Sequence, residues 1–222
     1  MKGVKKHELL ERRRIIRDIS YGKKNAPALF LDRDGVLIED KHHITDPNQV
    51  ELCEGALDLV LAACRRKLAV VLITNQSGIS RNIFDWDTYE SITNRILSIL
   101  GTPSPITAIY ANGYSDLSPD AYWRKPNPGM LIEAKTELNI DLNKSILIGD
   151  RMSDLIAGAS AGVSQLIHVL TGHGKKERLF VQQSMNASNQ LVVGDLSAKV
   201  TLIDSLKSFP MNIIYDSNLK SE

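Results

Sequence analysis

Cysteine is scarce in this 222-residue chain: there are two, Cys53 and Cys64. Both lie within apolar segments, so buried free thiols are expected rather than a disulfide framework or a redox pair. A reducing, cytoplasmic setting follows as the default expectation. No apolar run approaches the ~20 residues that a membrane-spanning helix needs. The opening MKGVKKHELLERRRII lacks an apolar h-region, so no secretory leader is expected. Internal repeats, low-complexity tracts and convincing linkers are also missing. These absences leave a globular chain, 43% hydrophobic and 24% charged, with enough mass for one domain and a real core.

The near-balance of charge is uneven along the chain. Residues 1–24 carry nine Lys/Arg against three acids, which leaves 18 basic against 23 acidic residues in the remainder, a net of −5. A net-negative main domain suits a nucleic-acid backbone poorly, so nucleic acid is not an expected partner, although the basic head leaves contact with RNA, DNA or anionic lipid open. The plainer reading of that head is a solvated helix whose Leu9, Leu10, Ile15, Ile16 and Ile19 rest on the domain. The expected division is a basic, helical N-terminal extension over residues 1–25 and a single domain over 26–222, as a monomer or small homo-oligomer.

What is present is alternation. Ala28 to Leu31, Leu68 to Thr74, Ile106 to Tyr110, Ser145 to Ile148 and Gln165 to Leu170 are short apolar runs that predict buried strands, and Leu191 to Val193 adds a further candidate. Between them, Glu54 to Lys67, Trp86 to Leu100, Pro128 to Leu138 and Asp154 to Ala161 carry helical spacing. Strands apolar on both faces, alternating with helices, predict an α/β fold with a doubly wound parallel sheet. Fewer than 20 residues separate Gly35 from the helix at Glu54, and essentially one helix lies between Ser77 and Ile106, so no large cap domain is expected.

In such folds ligands bind outside the carboxyl ends of the strands. Asp32-Arg33-Asp34-Gly35 follows the first strand, Thr74-Asn75-Gln76-Ser77 the second, and Gly149-Asp150-Arg151-Met152-Ser153-Asp154 the fourth, while Arg124-Lys125-Pro126 precedes the third helix. Each cluster alone is a common turn or cap; their joint appearance at successive strand ends points to one site. Its chemistry suits a phosphate monoester. A carboxylate approaching the ester meets repulsion of about 4 kcal/mol at 4 Å and an effective dielectric near 20, which a hard divalent cation relieves. Asp32, Asp150 and the main-chain carbonyl of Asp34 can supply oxygens to Mg²⁺, with Asp154 one helical turn on to hold a metal-bound water. Asp32 would attack phosphorus to give an aspartyl-phosphate, and Asp34 would protonate the leaving oxygen and then activate water. Thr74 and the amides of Asn75 and Gln76, read as lying just ahead of a helix, would cradle phosphoryl oxygens. Lys125 would supply a fixed positive charge.

FLDRDGVL, LITNQSG, the Lys of RKPNPGM and LIGDRMSD together resemble the four motifs of the haloacid dehalogenase (HAD) superfamily of phosphatases. Within it, DRDGVL, TNQSGISR, RKPNPGML and IGDRMSDL are similar to the branch of histidinol-phosphate phosphatase and D,D-heptose 1,7-bisphosphate phosphatase. The likeness spans about residues 27–172, with a weaker echo to about 209. It implies a Rossmann-like fold, Asp32 as nucleophile, Asp34 as acid/base, and magnesium on Asp32, Asp34 (main chain) and Asp150. It also implies a phosphate and substrate loop at Thr74, Asn75, Gln76 and Ser77, substrate contacts from Arg124 and Lys125, a basic residue at Arg151, and a short substrate-contacting loop from Asp40 to His43. A small sugar phosphate is the expected substrate, heptose 1,7-bisphosphate first, with histidinol-phosphate, a polynucleotide 3′-phosphate end, or a non-catalytic binding role as alternatives. One feature departs from the branch. Its members commonly carry a Cys/His zinc loop before Arg-Lys-Pro, whereas YANGYSDLSPDAYWRKP has neither Cys nor His, so no structural zinc is expected there. Tyr110, Tyr114, Tyr122 and Trp123 are expected to pack that loop, with an aromatic wall for a ligand as the alternative.

Overall fold

The computed structural model describes residues 10–16, 25–115 and 122–215. Strand β1 (Glu11–Ile15) is followed by β2 (Ala28–Leu31), α1 (Ala56–Arg65), β3 (Ala69–Asn75), α2 (Trp86–Leu100) and β4 (Ala108–Asn112). Then come α3 (Gly129–Leu138), β5 (Ile146–Gly149), α4 (Met152–Ala161), β6 (Gln165–His168), α5 (Gly174–Ser184), the β7 (Gln190–Val193) and β8 (Leu196–Leu202) hairpin, and α6 (Asn212–Tyr215). The sheet has eight strands in the order β1-β4-β3-β2-β5-β6-β8-β7. The six from β4 to β8 run parallel, and β1 and β7 are antiparallel edges.

Successive residues of a strand point to opposite faces, and the core divides accordingly. Leu29, Leu31, Leu72 and Ile148 pack with Leu59 and Val60 of α1 and Ile92 and Ile96 of α2. Phe30, Val71, Ile73 and Leu147 pack on the other face with Met130 and Leu131 of α3 and Leu155 of α4. Each fully buried side chain of this size contributes roughly 1.5–3 kcal/mol, so the central strands, and the loops leaving their carboxyl ends, are firmly placed. Helix α2 shows why these segments are helical. Asp85 caps it by accepting from the Thr88 amide at 2.8 Å, Tyr89, Ile92, Thr93, Ile96 and Leu100 recur at three- and four-residue spacing on its buried face, and Gly101 with φ 94° ends it.

Where the basic head is described it is a strand, not the helix expected. In β1, Glu11 lies opposite Asn112 and Ile15 opposite Ala108. The physical reason is the open edge of β4, which offers main-chain pairing that a solvated helix would forgo, and charged side chains are well suited to an edge strand. Its arginines reach the acids of the domain. Arg13 pairs with Glu137, Arg14 pairs with Glu90 at 3.2 Å and donates to Asn94 at 2.7 Å, and Arg12 lies over the Trp86 ring at 5.2 Å. Leu10 and Ile16 pack on the domain as expected, while Ile15 is exposed; Leu9 and Ile19 lie outside the described residues. Cys53 is buried and Cys64 half-buried, and neither forms a disulfide.

Only a short 3₁₀ turn at Pro47–Gln49 separates β2 from α1, and α2 is the one helix between β3 and β4. Tyr110 of β4 donates its hydroxyl to Glu137 at 2.7 Å and meets Trp123 of the segment before α3 edge-on at 5.6 Å; in that segment Tyr114 is buried and Tyr122 is exposed.

Candidate active site

The loops after β2, β3, β5 and β6 and the segment before α3 enclose a cavity of about 890 Å³. Asp32, Asp34, Asp40, His43, Asn75, Gln76, Ser77, Arg124, Lys125, Arg151 and Asp154 all line it. The sequence reading thus brought most of its residues to one place. Asp150 lies fully buried at the floor and Thr74 behind the wall.

The floor is a knot of opposite charges. Lys125 Nζ lies 2.8 Å from Asp32 Oδ1 and 2.7 Å from Asp154 Oδ1, and donates to the Ile73 carbonyl at 3.0 Å. Asp32, Asp150 and Asp154 are all buried, with one carboxylate oxygen of each within 4.8 Å of the others. Burial raises the carboxyl of Asp32 above its ordinary range, against the pull of Lys125. Burial and the neighbouring carboxylates of Asp154 and Asp32 raise Asp150 likewise. Burial opposes the charge on Lys125, yet Asp154 and Asp32 hold it above the usual lysine range. Three buried carboxylates face a single ammonium, and Asp150 Oδ1 is buried without a hydrogen-bond partner among the described residues. An uncompensated buried charge is costly, so this donor set, all oxygen and in excess of positive charge, fits a hard divalent cation such as Mg²⁺.

Two glycine backbones clamp the other oxygen of Asp150. A Cβ on Gly35 (φ 85°) would fall 2.5 Å from Asp150 Oδ2, and one on Gly172 (φ 56°) 2.2 Å from the same atom. The His173 amide donates to it at 2.7 Å. Beneath, His168 presents Nε2 to the Asp150 carbonyl at 3.1 Å and Nδ1 to Arg178 Nε at 3.0 Å.

Asp34 is held apart from the acidic trio. Its Oδ2 accepts from Arg33 Nε at 3.0 Å and from Gln76 Nε2 at 2.8 Å, and its Oδ1 accepts from Arg33 at 3.0 Å. Its side chain is thereby held by Arg33 and Gln76. Arg33, buried over the Tyr89 ring at 5.4 Å and donating to Gln76 Oε1 at 2.9 Å, was not among the expected site residues. Its position between two acids in a strand-end turn was the available signal. Arg81, donating to Ser77 Oγ at 3.0 Å and lying 3.0 Å from His43 Nε2, and His173, at the end of the loop after β6, also line the cavity and were not expected. His173 follows a strand end and was legible on that ground; Arg81 closes the motif TNQSGISR, four residues after Ser77.

Several expected details need correction. The Gln76 amide is not available to a phosphate, because it donates to the Asn112 carbonyl at 2.6 Å as the parallel ladder runs on past β3. No helix begins just beyond it: residues 77–83 form successive turns and α2 starts at Trp86. Gly78 permits this path, since a Cβ there would meet the Phe84 ring at 2.2 Å. Thr74, like Asp150, lies just behind the residues that line the cavity, and its hydroxyl oxygen accepts from Gln76 Nε2 at 2.7 Å. The Asn75 side chain grips the Lys125 peptide, donating to its carbonyl at 3.0 Å and accepting from its amide at 3.2 Å. Asp154 does more than stand by to hold water, for its two oxygens take Lys125 Nζ and the Arg151 amide.

The chain is similar to known proteins in both sequence and fold. The HAD-hydrolase-like family model matches residues 122–198. A D-glycero-β-D-manno-heptose-1,7-bisphosphate 7-phosphatase of Mesorhizobium japonicum is 36% identical over 78% of this chain and 82% of its own length. The enzyme of the same description from Pasteurella multocida is 33% identical over 75% of this chain and 97% of its own. Among solved structures, a HAD-like protein of Mesorhizobium loti superposes with a TM-score of 0.76 at 29% identity, covering 96% of each chain. The D,D-heptose 1,7-bisphosphate phosphatase of B. bronchiseptica, complexed with magnesium and phosphate, gives 0.70 at 26% identity over 85% of this chain and 98% of its own.

Proposed function

Because the chain belongs to the HAD-like phosphatases, in the family of the D-glycero-manno-heptose-1,7-bisphosphate 7-phosphatases, we propose that it removes a phosphate from that sugar bisphosphate, with Asp32 as nucleophile. The observation that carries this is the floor of the cavity: a buried carboxylate 2.8 Å from Lys125, beside an acidic set with one oxygen unpartnered among the described residues. Asp32, Asp150 and the Asp34 carbonyl would hold Mg²⁺, which supplies neutralisation of charge on ester and nucleophile when bound.

Lys125 orients Asp32 and offsets its charge, and Asn75 fixes Lys125 through its peptide. A carboxylate oxygen of Asp32 forms a bond to phosphorus as the sugar–oxygen bond to phosphorus breaks, and the departing sugar oxygen takes a proton from Asp34. Water then gives a proton to Asp34 and attacks the aspartyl-phosphate, freeing inorganic phosphate and Asp32. Both oxygens of Asp34 face donors, which suits the basic half of this task. Arg12, Arg13 and Arg14 are engaged on the domain's own side chains, which supports a small-molecule ester over a nucleic-acid end.

A panel of phosphate esters assayed with Mg²⁺ and with excess EDTA tests the reading. Release from heptose 1,7-bisphosphate should exceed that from histidinol-phosphate and from a 3′-phosphorylated oligonucleotide, and EDTA should abolish it. Absence of release from the heptose ester, or full activity in EDTA, would refute it.

A further inference from the structure

A second group of metal-ligating side chains stands on the cavity wall, separate from the acidic trio. Asp40, His42 and His173 each offer one ligand atom, and these atoms lie within 4.8 Å of one another. His173 Nε2 is 3.1 Å from Asp40 Oδ2, and His42 Nδ1 is 3.9 Å from Asp40 Oδ1. The two imidazoles meet edge-on with centroids 6.1 Å apart.

The group is positioned from two sides. The His42 amide donates to Asp40 Oδ1 at 3.0 Å, which fixes the carboxylate in the turn after β2. The His173 amide donates to Asp150 Oδ2, which anchors the loop after β6. A simple ion pair between His173 and Asp40 would not account for His42. That side chain is 80% exposed, on a backbone at φ 52°, yet it faces the other two. Two imidazole nitrogens and one carboxylate oxygen are the donor set of open zinc sites, which hold the ion by three protein ligands and keep one position for water or substrate. Magnesium prefers oxygen alone, so the two groups differ in the class of ion they suit.

We propose that Asp40, His42 and His173 form a second metal site, selective for a borderline transition-metal ion such as Zn²⁺. It is distinct from the zinc loop of the resembling branch, whose place here, residues 110–126, has no Cys or His. All three residues line the cavity, so the open coordination position is within reach of water or of an ester oxygen.

The full-length protein would be titrated with Zn²⁺ by calorimetry, and with Co²⁺ by visible absorption, in excess Mg²⁺ to fill the acidic trio. One equivalent should bind, with the absorption bands of a low-coordinate Co²⁺ ion. H42A and H173A should each weaken binding by about tenfold or more, since even outer-shell partners of a metal contribute that much. H42A removes an exposed side chain and should keep the wild-type melting temperature. No transition-metal equivalent in excess Mg²⁺, or unchanged affinity in both variants, would overturn the proposal. Asp32→Asn should lose turnover and keep this equivalent, so the phosphatase reading and the second site fail independently.

Discussion

The floor and the mouth of the cavity are built on different terms. The floor groups, Asp32, Lys125, Asp150 and Asp154, are at least nine-tenths buried, sit at or beside strand ends, and are tied to one another and to main-chain atoms. The mouth groups, His42, His43, Arg81 and Arg151, are exposed, sit on turns or a helix cap, and touch mainly one another or solvent-facing partners. Burial makes the floor's charges strong and costly to separate, whereas exposed charges are screened and individually weak. On the proposed reading the floor would carry the chemistry and the mouth the choice of ester.

That contrast can be broken most decisively at Asp32. Asp32→Asn is nearly isosteric, so turnover should fall by about 10⁴-fold or more with little change in the unfolding midpoint; a variant that keeps substantial activity would remove the floor's central role. Next comes Lys125. Its loss leaves buried carboxylates without their ammonium, and Lys125→Ala should cost about 3–5 kcal/mol of stability in urea titrations. A cost under about 1 kcal/mol would show that the floor is wet and screened, like the mouth.

Support beneath the floor should appear in the pH dependence. Burial, reinforced by Arg178, pushes His168 down to about 4. The unfolded chain, titrating near 6.5, then binds the proton first, so stability should fall as pH drops from about 6.5 to about 4 and level off below, by at most about 3 kcal/mol. Comparing wild type with His168→Gln at pH 7 and pH 5 isolates this contribution from that of the acidic trio. The smallest effect is expected at the mouth. Arg81→Ala should raise KM about fivefold, or about 1 kcal/mol, with kcat little changed, and alter stability by no more than about 0.5 kcal/mol.

The same contrast decided what could be read in the sequence. Strands such as Ala28–Leu31 and Ile146–Gly149 are apolar throughout because they are covered on both faces, and the polar residues that end them mark the floor. Trp86–Leu100 was legible to the residue from its cap and spacing. The β1 strand was misread because ERRRI has no apolar face, and an edge strand needs none. Helix α5 was missed because, among its eleven residues, only Gly174 and Val181 are buried, with Leu179 and Phe180 facing solvent. His173 follows a strand end, and Arg81, Arg33 and Gln76 stand within quoted motifs, but the loop paths and hydrogen bonds that bring them to the cavity were not foreseeable from local pattern.

The antiparallel strand at the sheet's edge has a further consequence for how molecules of this protein meet one another. Every residue of β4 is buried and apolar or amide-bearing, and bare peptide groups along such a ribbon would template the addition of a second chain. Residues 11–15 occupy that row with their own main chain, so the peptide groups on that side of β4 are paired within the molecule, and their arginines are taken up by Glu90, Glu137 and Trp86 of the domain. Five residues thereby stand between a finished sheet and one open to aggregation.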